Sequence, residues 1–263
     1  MSTEQDNQDA DGAAEPRRRR GIYLLPNLFT TAALFFGFYA IVAAMNGNFR
    51  LASIGIFVAM LMDGLDGRVA RMTHTQSDFG KEYDSLSDMI SFGLAPALVV
   101  YSWALSGMSQ YGWYWAKVGW LGAFVYAAGG ALRLARFNTQ AERQDRRYFQ
   151  GLPSPSAAAV VAGMVWVCRE AGISGHDFGF PALILTVVAG LLMVSNFRYH
   201  SFKYINLNER VPFRYILAVV LVFILIAINP AQVLFGVFFL YLCSGPVLAG
   251  MRRLRGGRRG RGR

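Results

Sequence analysis

Charge and cysteine are both scarce in this chain. Two cysteines, Cys168 and Cys243, stand inside apolar runs of a 263-residue sequence. That excludes a disulfide framework and a thiolate zinc site. Only 16% of residues are charged, against about 25% in an average globular protein. Acids are the scarcer sign, 16 against 26 lysines and arginines, so the net charge is still +10. A basic nucleic-acid-binding globule does not look like this. A chain that is 54% hydrophobic with so little charge reads as a membrane protein with basic edges. No stretch is long enough for a second, soluble domain. No small-residue cleavage site follows the first apolar run, which directly follows Arg17 to Arg20, so that run is expected to stay as an anchor.

Apolar stretches lie near 30–47, 49–66, 89–105, 118–135, 156–171, 180–197, 213–228 and 231–250. A bilayer core needs about 20 such residues per helix, and several of these runs reach that only with semi-polar flanks. The expected fold is all-α, a polytopic bundle of about eight membrane helices over 22–251. A disordered tail, acidic then basic, is expected over 1–21, and an Arg/Gly-rich tail over 252–263.

Orientation follows from the cations. With the N-terminus inside and eight spans, the inner segments hold 23 of 26, including Arg68, Arg71, Lys81, Arg133 and Arg136. The outer segments keep only Arg50, Lys117 and Arg169. Positive charge is retained on the cytoplasmic side, so both termini are expected there, in a cell (inner) membrane. The RRLRGGRRGRGR tail abuts a span, which favours anionic lipid over nucleic acid as its partner.

The few acids carry the functional information. Five lie in the N-terminal tail and six crowd between positions 63 and 88. Asp63 and Asp66 are three apart at the end of the second span, and Asp84 and Asp88 are four apart at the start of the third. Each pair therefore shares a helix face. A carboxylate in the membrane-facing part of a helix costs a few kcal/mol even on mild insertion scales. Four facing one another need cations between them. Arg71 is one charge against four, which disfavours a plain set of salt bridges. The cluster offers only oxygen, and His74 lies in the connecting loop, so a hard ion, Mg²⁺ or Mn²⁺, is favoured. Two ions about 3.5–4 Å apart would suit phosphoryl transfer. Gly64, Gly67 and Gly80 leave room beside the carboxylates for a ligand or a close helix. An ion path in a transporter is the alternative from another class, but the acids bunch at one edge and no paired polar residues continue across the other spans.

Asp63, Asp66, Gly67, Ala70, Arg71, Gly80, Asp84 and Asp88 match the pattern D-x2-D-G-x2-A-R-x8-G-x3-D-x3-D without a departure. On this motif the chain resembles the CDP-alcohol phosphotransferase family. The LPNLFTT run ending at Thr31, DSLSDMISFGLAPA (84–97), LRLARFN (132–138) and GLPSP (151–155) extend the likeness to the bacterial, integral-membrane, serine-using branch. The resemblance implies a six-helix core, so the last two spans are additional, and it implies a homodimer. It implies transfer of the phosphatidyl group from CDP-diacylglycerol to L-serine, giving phosphatidylserine and CMP. Asp63, Asp66, Asp84 and Asp88 would hold two divalent ions, with Asp88 also the general base. Pro26, Asn27, Thr30, Gly67, Arg71 and Ser77 match positions that line the CDP-diacylglycerol site. Pro26 also reads as a helix start and Ser77 as a helix cap. For the serine carboxylate a cation is needed, and Arg133 and Arg136 are the candidates, with Asn138, Ser87 and Ser91 behind them. The same arginines would suit glycerol 3-phosphate or inositol phosphate, or simply reach lipid phosphates.

Overall fold

The computed structural model describes residues 24–73, 77–140, 148–200 and 213–259. Eight helices make up most of them: α1 Leu24–Met45, α2 Phe49–Met72, α3 Asp78–Tyr111, α4 Trp113–Gln140, α5 Ser154–Glu170, α6 Gly179–Val194, α7 Phe213–Ile228 and α8 Pro230–Arg259. Each expected span overlies one helix, in order. Four segments are long and apolar enough to cross a bilayer: Pro26–Met45, Asp78–Tyr111, Trp113–Thr139 and Pro230–Met251. The chain is an all-α, multi-pass membrane protein. His74, the tail over 1–21 and the last four residues lie outside the described residues, while the backbone of α8 continues through Arg259.

Small residues set the first hairpin. Gly47, with φ of 75°, closes the tight turn between α1 and α2 in a conformation that side chains disfavour. Ala33, Ala40 and Ala44 of α1 and Ala52 and Ala59 of α2 are buried. A Cβ on Gly55 would stand 3.3 Å from that of Ala40. Close backbone approach of this kind is how membrane helices gain packing energy.

The 17 residues of α5 look short for a span because this helix is the centre of the bundle. Residues 157–162 and Val165 are wholly buried, and α2, α3, α6 and α8 pack around it. A helix apolar on all sides belongs in such a place. Against α4, α6 packs through Gly122, Gly129 and Gly190, and α7 lies on α8.

Irregularity in α3 has an identifiable cause. Its α-helical start, Asp78–Asp88, passes into a π turn at Met89–Leu94, returns to α-helix over Ala95–Val100, and ends in a second π turn and a 3₁₀ stretch. Pro96 has no N–H to give to the carbonyl four residues earlier, that of Phe92. The wholly buried Tyr126 of α4 donates to that carbonyl at 3.0 Å instead. The orphaned acceptor thus becomes a tie between α3 and α4.

One element was not foreseen from hydropathy. Tyr148–Gln150 (β1) and Arg198–His200 (β2) pair antiparallel, with Gln150 opposite Arg198. Strands of three residues carry too little periodicity to read.

The two ends of the bundle differ. At one end, Arg50 lies 3.8 Å from Glu170, which also accepts from Trp166 at 2.7 Å. At that end too, Lys117 sits 4.4 Å over the Trp113 ring, and Trp115 meets Phe180 edge-on. Such aromatic groups mark a membrane interface. The acidic cluster is at the other end.

Candidate active site

Four segments converge there: the start of α1, the last turns of α2, the first turns of α3 and the end of α4. They enclose a cavity of about 550 Å³ lined by Pro26, Asn27, Thr30, Asp66, Gly67, Ala70, Arg71, Ser77, Asp78, Gly80, Lys81, Asp84 and Phe137. All six positions expected around the nucleotide are among them.

Local rules put each group in place. Because α1 begins at Leu24, Pro26 falls in its first turn, where a missing N–H costs nothing. One turn on, Thr30 Oγ1 donates to Asp66 Oδ2 at 2.8 Å and stands 3.1 Å from the Pro26 carbonyl. Ser77 caps α3, its Oγ accepting from Gly80 N at 3.0 Å. A Cβ on Gly80 would lie 3.1 Å from that Oγ and 3.3 Å from Asn27 Oδ1, so this glycine permits α3 to approach α1. Around Gly67 there is open space where a side chain would intrude on the cavity. Arg71 Nε donates to the Gly67 carbonyl at 2.8 Å, which holds the guanidinium at the rim. The N-terminal end of α3 opens on the cavity through Ser77, Asp78, Gly80 and Lys81, and a helix N-terminus favours an anion.

The carboxylates meet behind this wall. One oxygen each of Asp63, Asp66 and Asp84 lie within 4.8 Å of one another. Asp88, one turn after Asp84, lies close enough to Asp63, Asp84 and Asp66 to feel their charge. Carboxylates this close need a proton or a cation between them. The donor set is all oxygen on two helices, which fits a hard divalent ion and not zinc.

The expected acceptor groups lie outside the cavity lining. Ser87 and Ser91 are buried and donate to the Thr30 and Ala33 carbonyls, both at 3.1 Å. Asn138 Nδ2 donates to Ser85 Oγ at 3.0 Å. Arg133 Nη1 donates to the Gln150 carbonyl at 3.0 Å. Arg136 Nη2 donates to Gln150 Oε1 at 2.7 Å and to Asn196 Oδ1 at 2.8 Å. Three lining residues, Asp78, Lys81 and Phe137, were not expected. Lys81 was legible, since it stands three residues before Asp84 on the same face. Nothing in the sequence singles out Phe137.

Residues 23–195 match the family model described as CDP-alcohol phosphatidyltransferase. The CDP-diacylglycerol–serine O-phosphatidyltransferase of Helicobacter pylori (strain ATCC 700392 / 26695) is 36% identical over 225 residues, 85% of this chain and 90% of that one. The protein of that name from Mycobacterium leprae (strain TN) is 28% identical over 240 residues, covering 89% and 77%. An archaetidylserine synthase of Methanothermobacter thermautotrophicus is 32% identical over 177 residues, covering 66% and 69%. A family model spanning most of the chain, with the motif aspartates gathered at one cavity, leaves one assignment: the chain belongs to the CDP-alcohol phosphatidyltransferase family.

Proposed function

We propose that this protein transfers the phosphatidyl group of CDP-diacylglycerol to the hydroxyl of L-serine, releasing CMP. The observation that carries the reading is the single cavity that joins the Asp66 and Asp84 carboxylates to Thr30, Arg71 and the N-terminus of α3. The names of the relatives support serine as the acceptor, and they differ in the lipid. Asp63, Asp66, Asp84 and Asp88 would hold two divalent ions, Mg²⁺ or Mn²⁺, which supply charge neutralisation for a pyrophosphate and for departing CMP. Pro26, Asn27 and Gly67 bound the nucleotide, while Arg71 and the first turn of α3 bind phosphate oxygens. Asp88 accepts the proton of the serine hydroxyl as that oxygen bonds to the phosphorus carrying diacylglycerol. The bond from that phosphorus to CMP breaks, and CMP leaves with the electron pair. Arg133 and Arg136 receive the serine carboxylate. Because the eight-span reading of the sequence assigns 23 of 26 cations to the segments on the same side as the acidic cluster, the site is assigned to the cytoplasmic face of the inner membrane.

Membranes containing the protein are expected to release CMP from CDP-diacylglycerol with labelled L-serine, and to do so only with Mg²⁺ or Mn²⁺. Release with glycerol 3-phosphate but not serine would move the assignment to a sister enzyme, and no release would refute the reaction. Lys81 adds a second cation beside Arg71 at the anionic donor. Lys81→Met is expected to raise the KM for CDP-diacylglycerol about three- to tenfold at unchanged serine KM, a loss of about 0.7–1.4 kcal/mol. An unchanged donor KM would remove Lys81 from the phosphate site.

A further inference from the structure

The chain beyond residue 195, where the family match ends, returns to the core through Tyr199 of β2. This residue is wholly buried. Its ring occupies the space above Gly245 of α8, where a Cβ would overlap ring atoms, and its hydroxyl donates to the Leu242 carbonyl at 3.0 Å. Burial raises its phenol well above the ordinary value, so the O–H persists as a donor. Tyr241 packs beside it with ring centroids 5.4 Å apart.

From Tyr199 a continuous set of bonds runs to the two arginines. Next to it in β2, Arg198 is opposite Gln150, and Gly151 N donates to the Phe197 carbonyl at 2.8 Å. Arg133 and Arg136 both converge on Gln150, one on its carbonyl and one on its side-chain oxygen. Gly151 completes the joint. Its φ is 76°, and a side chain there would stand 3.0 Å from the Ser195 carbonyl and 3.1 Å from Arg133 Nη1. The acceptors named for both guanidinium groups are carbonyl and amide oxygens, which orient the cations without neutralising them. Two cations that meet at Gln150, with no carboxylate paired to them among the described residues, suit an incoming carboxylate.

We propose that Tyr199, seated on Gly245, is a positioning residue: it fixes β2 to α8 and, through Gln150, holds Arg133 and Arg136 in the geometry that receives the acceptor's carboxylate. The proposal rests on the serine reading above and gives the last helix a part in acceptor binding.

Steady-state kinetics of the full-length protein in mixed micelles test it. Gly245→Val is expected to raise the serine KM at least about tenfold, with the CDP-diacylglycerol KM within twofold of wild type. Tyr199→Ala should do the same, and the double variant should be no worse than Tyr199→Ala alone, since one ring carries both effects. Tyr199→Phe keeps the ring and should raise the serine KM only about two- to threefold. Should Gly245→Val fail to accumulate, Gly245→Ala introduces the same overlap and is read the same way. A uniform fall in kcat with both KM values unchanged would mean ordinary structural support and overturn the proposal, as would additive single effects. Wild-type protein that releases no CMP with serine refutes the reaction itself. Active wild type with normal serine KM in the variants refutes only the role of Tyr199.

Discussion

Asp88→Asn is expected to lower kcat for CMP release by about 10²–10⁴-fold, the span of general-base contributions, while the KM for CDP-diacylglycerol stays within a few-fold. Asparagine keeps the size and planarity of the side chain and cannot take the serine proton. Asp88 stands one helical turn past Asp84 and near the charge of Asp63, yet it does not line the cavity. Substitution there should leave the nucleotide wall of Pro26, Asn27 and Gly67 intact. The KM against kcat split is therefore the informative quantity. Full activity in this variant would leave the reaction in place and assign the base elsewhere.

Asp84→Asn should have a larger effect on ion binding. Asp84 is shared between the carboxylate cluster and the cavity lining, as is Asp66, so it is where bound cation and phosphate oxygens would meet. Activity is expected to fall on the order of 10³-fold or more, comparable to or beyond loss of a key electrostatic contact in other active sites. Chelation by EDTA should abolish activity in wild type, with recovery on adding Mn²⁺. Mn²⁺ binding followed by electron paramagnetic resonance separates the two aspartates: Asp84→Asn should bind weakly, and Asp88→Asn should keep at least one ion. Wild-type Mn²⁺ affinity in Asp84→Asn would mean that the cluster is not the ion cage.

Much of this architecture is legible in the sequence for physical reasons. Membrane helices declare themselves by apolar length, so each of the eight runs maps to one helix. The fixed spacing from Asp63 to Asp88 encodes two helix faces, and these faces do meet. What was not legible depends on partners distant in the chain. No local pattern reveals that Thr30 bonds Asp66 across 36 positions, or that Tyr126 satisfies the carbonyl released by Pro96. Ser87 and Ser91 show the same limit: they stand in the sequence as candidates for the acceptor, and no local pattern reveals that their hydroxyls bond to α1 carbonyls. Phe137 lines the cavity next to Asn138, which is tied to Ser85 across 53 positions, a tertiary fact.

The lacing of α1 to α3 has a consequence for how the cell can govern this protein. Ser87 and Ser91 bond to backbone carbonyls, and the Thr31 and Tyr83 hydroxyls meet at 3.0 Å. These ties are neutral and join α1 to α3 without a cation, whereas the clustered carboxylates themselves need a proton or a cation between them. An ion held by those carboxylates could leave without unlacing α1 from α3. On the proposed reaction, output of lipid would then follow the free divalent-cation level of the compartment, without synthesis or degradation of the enzyme.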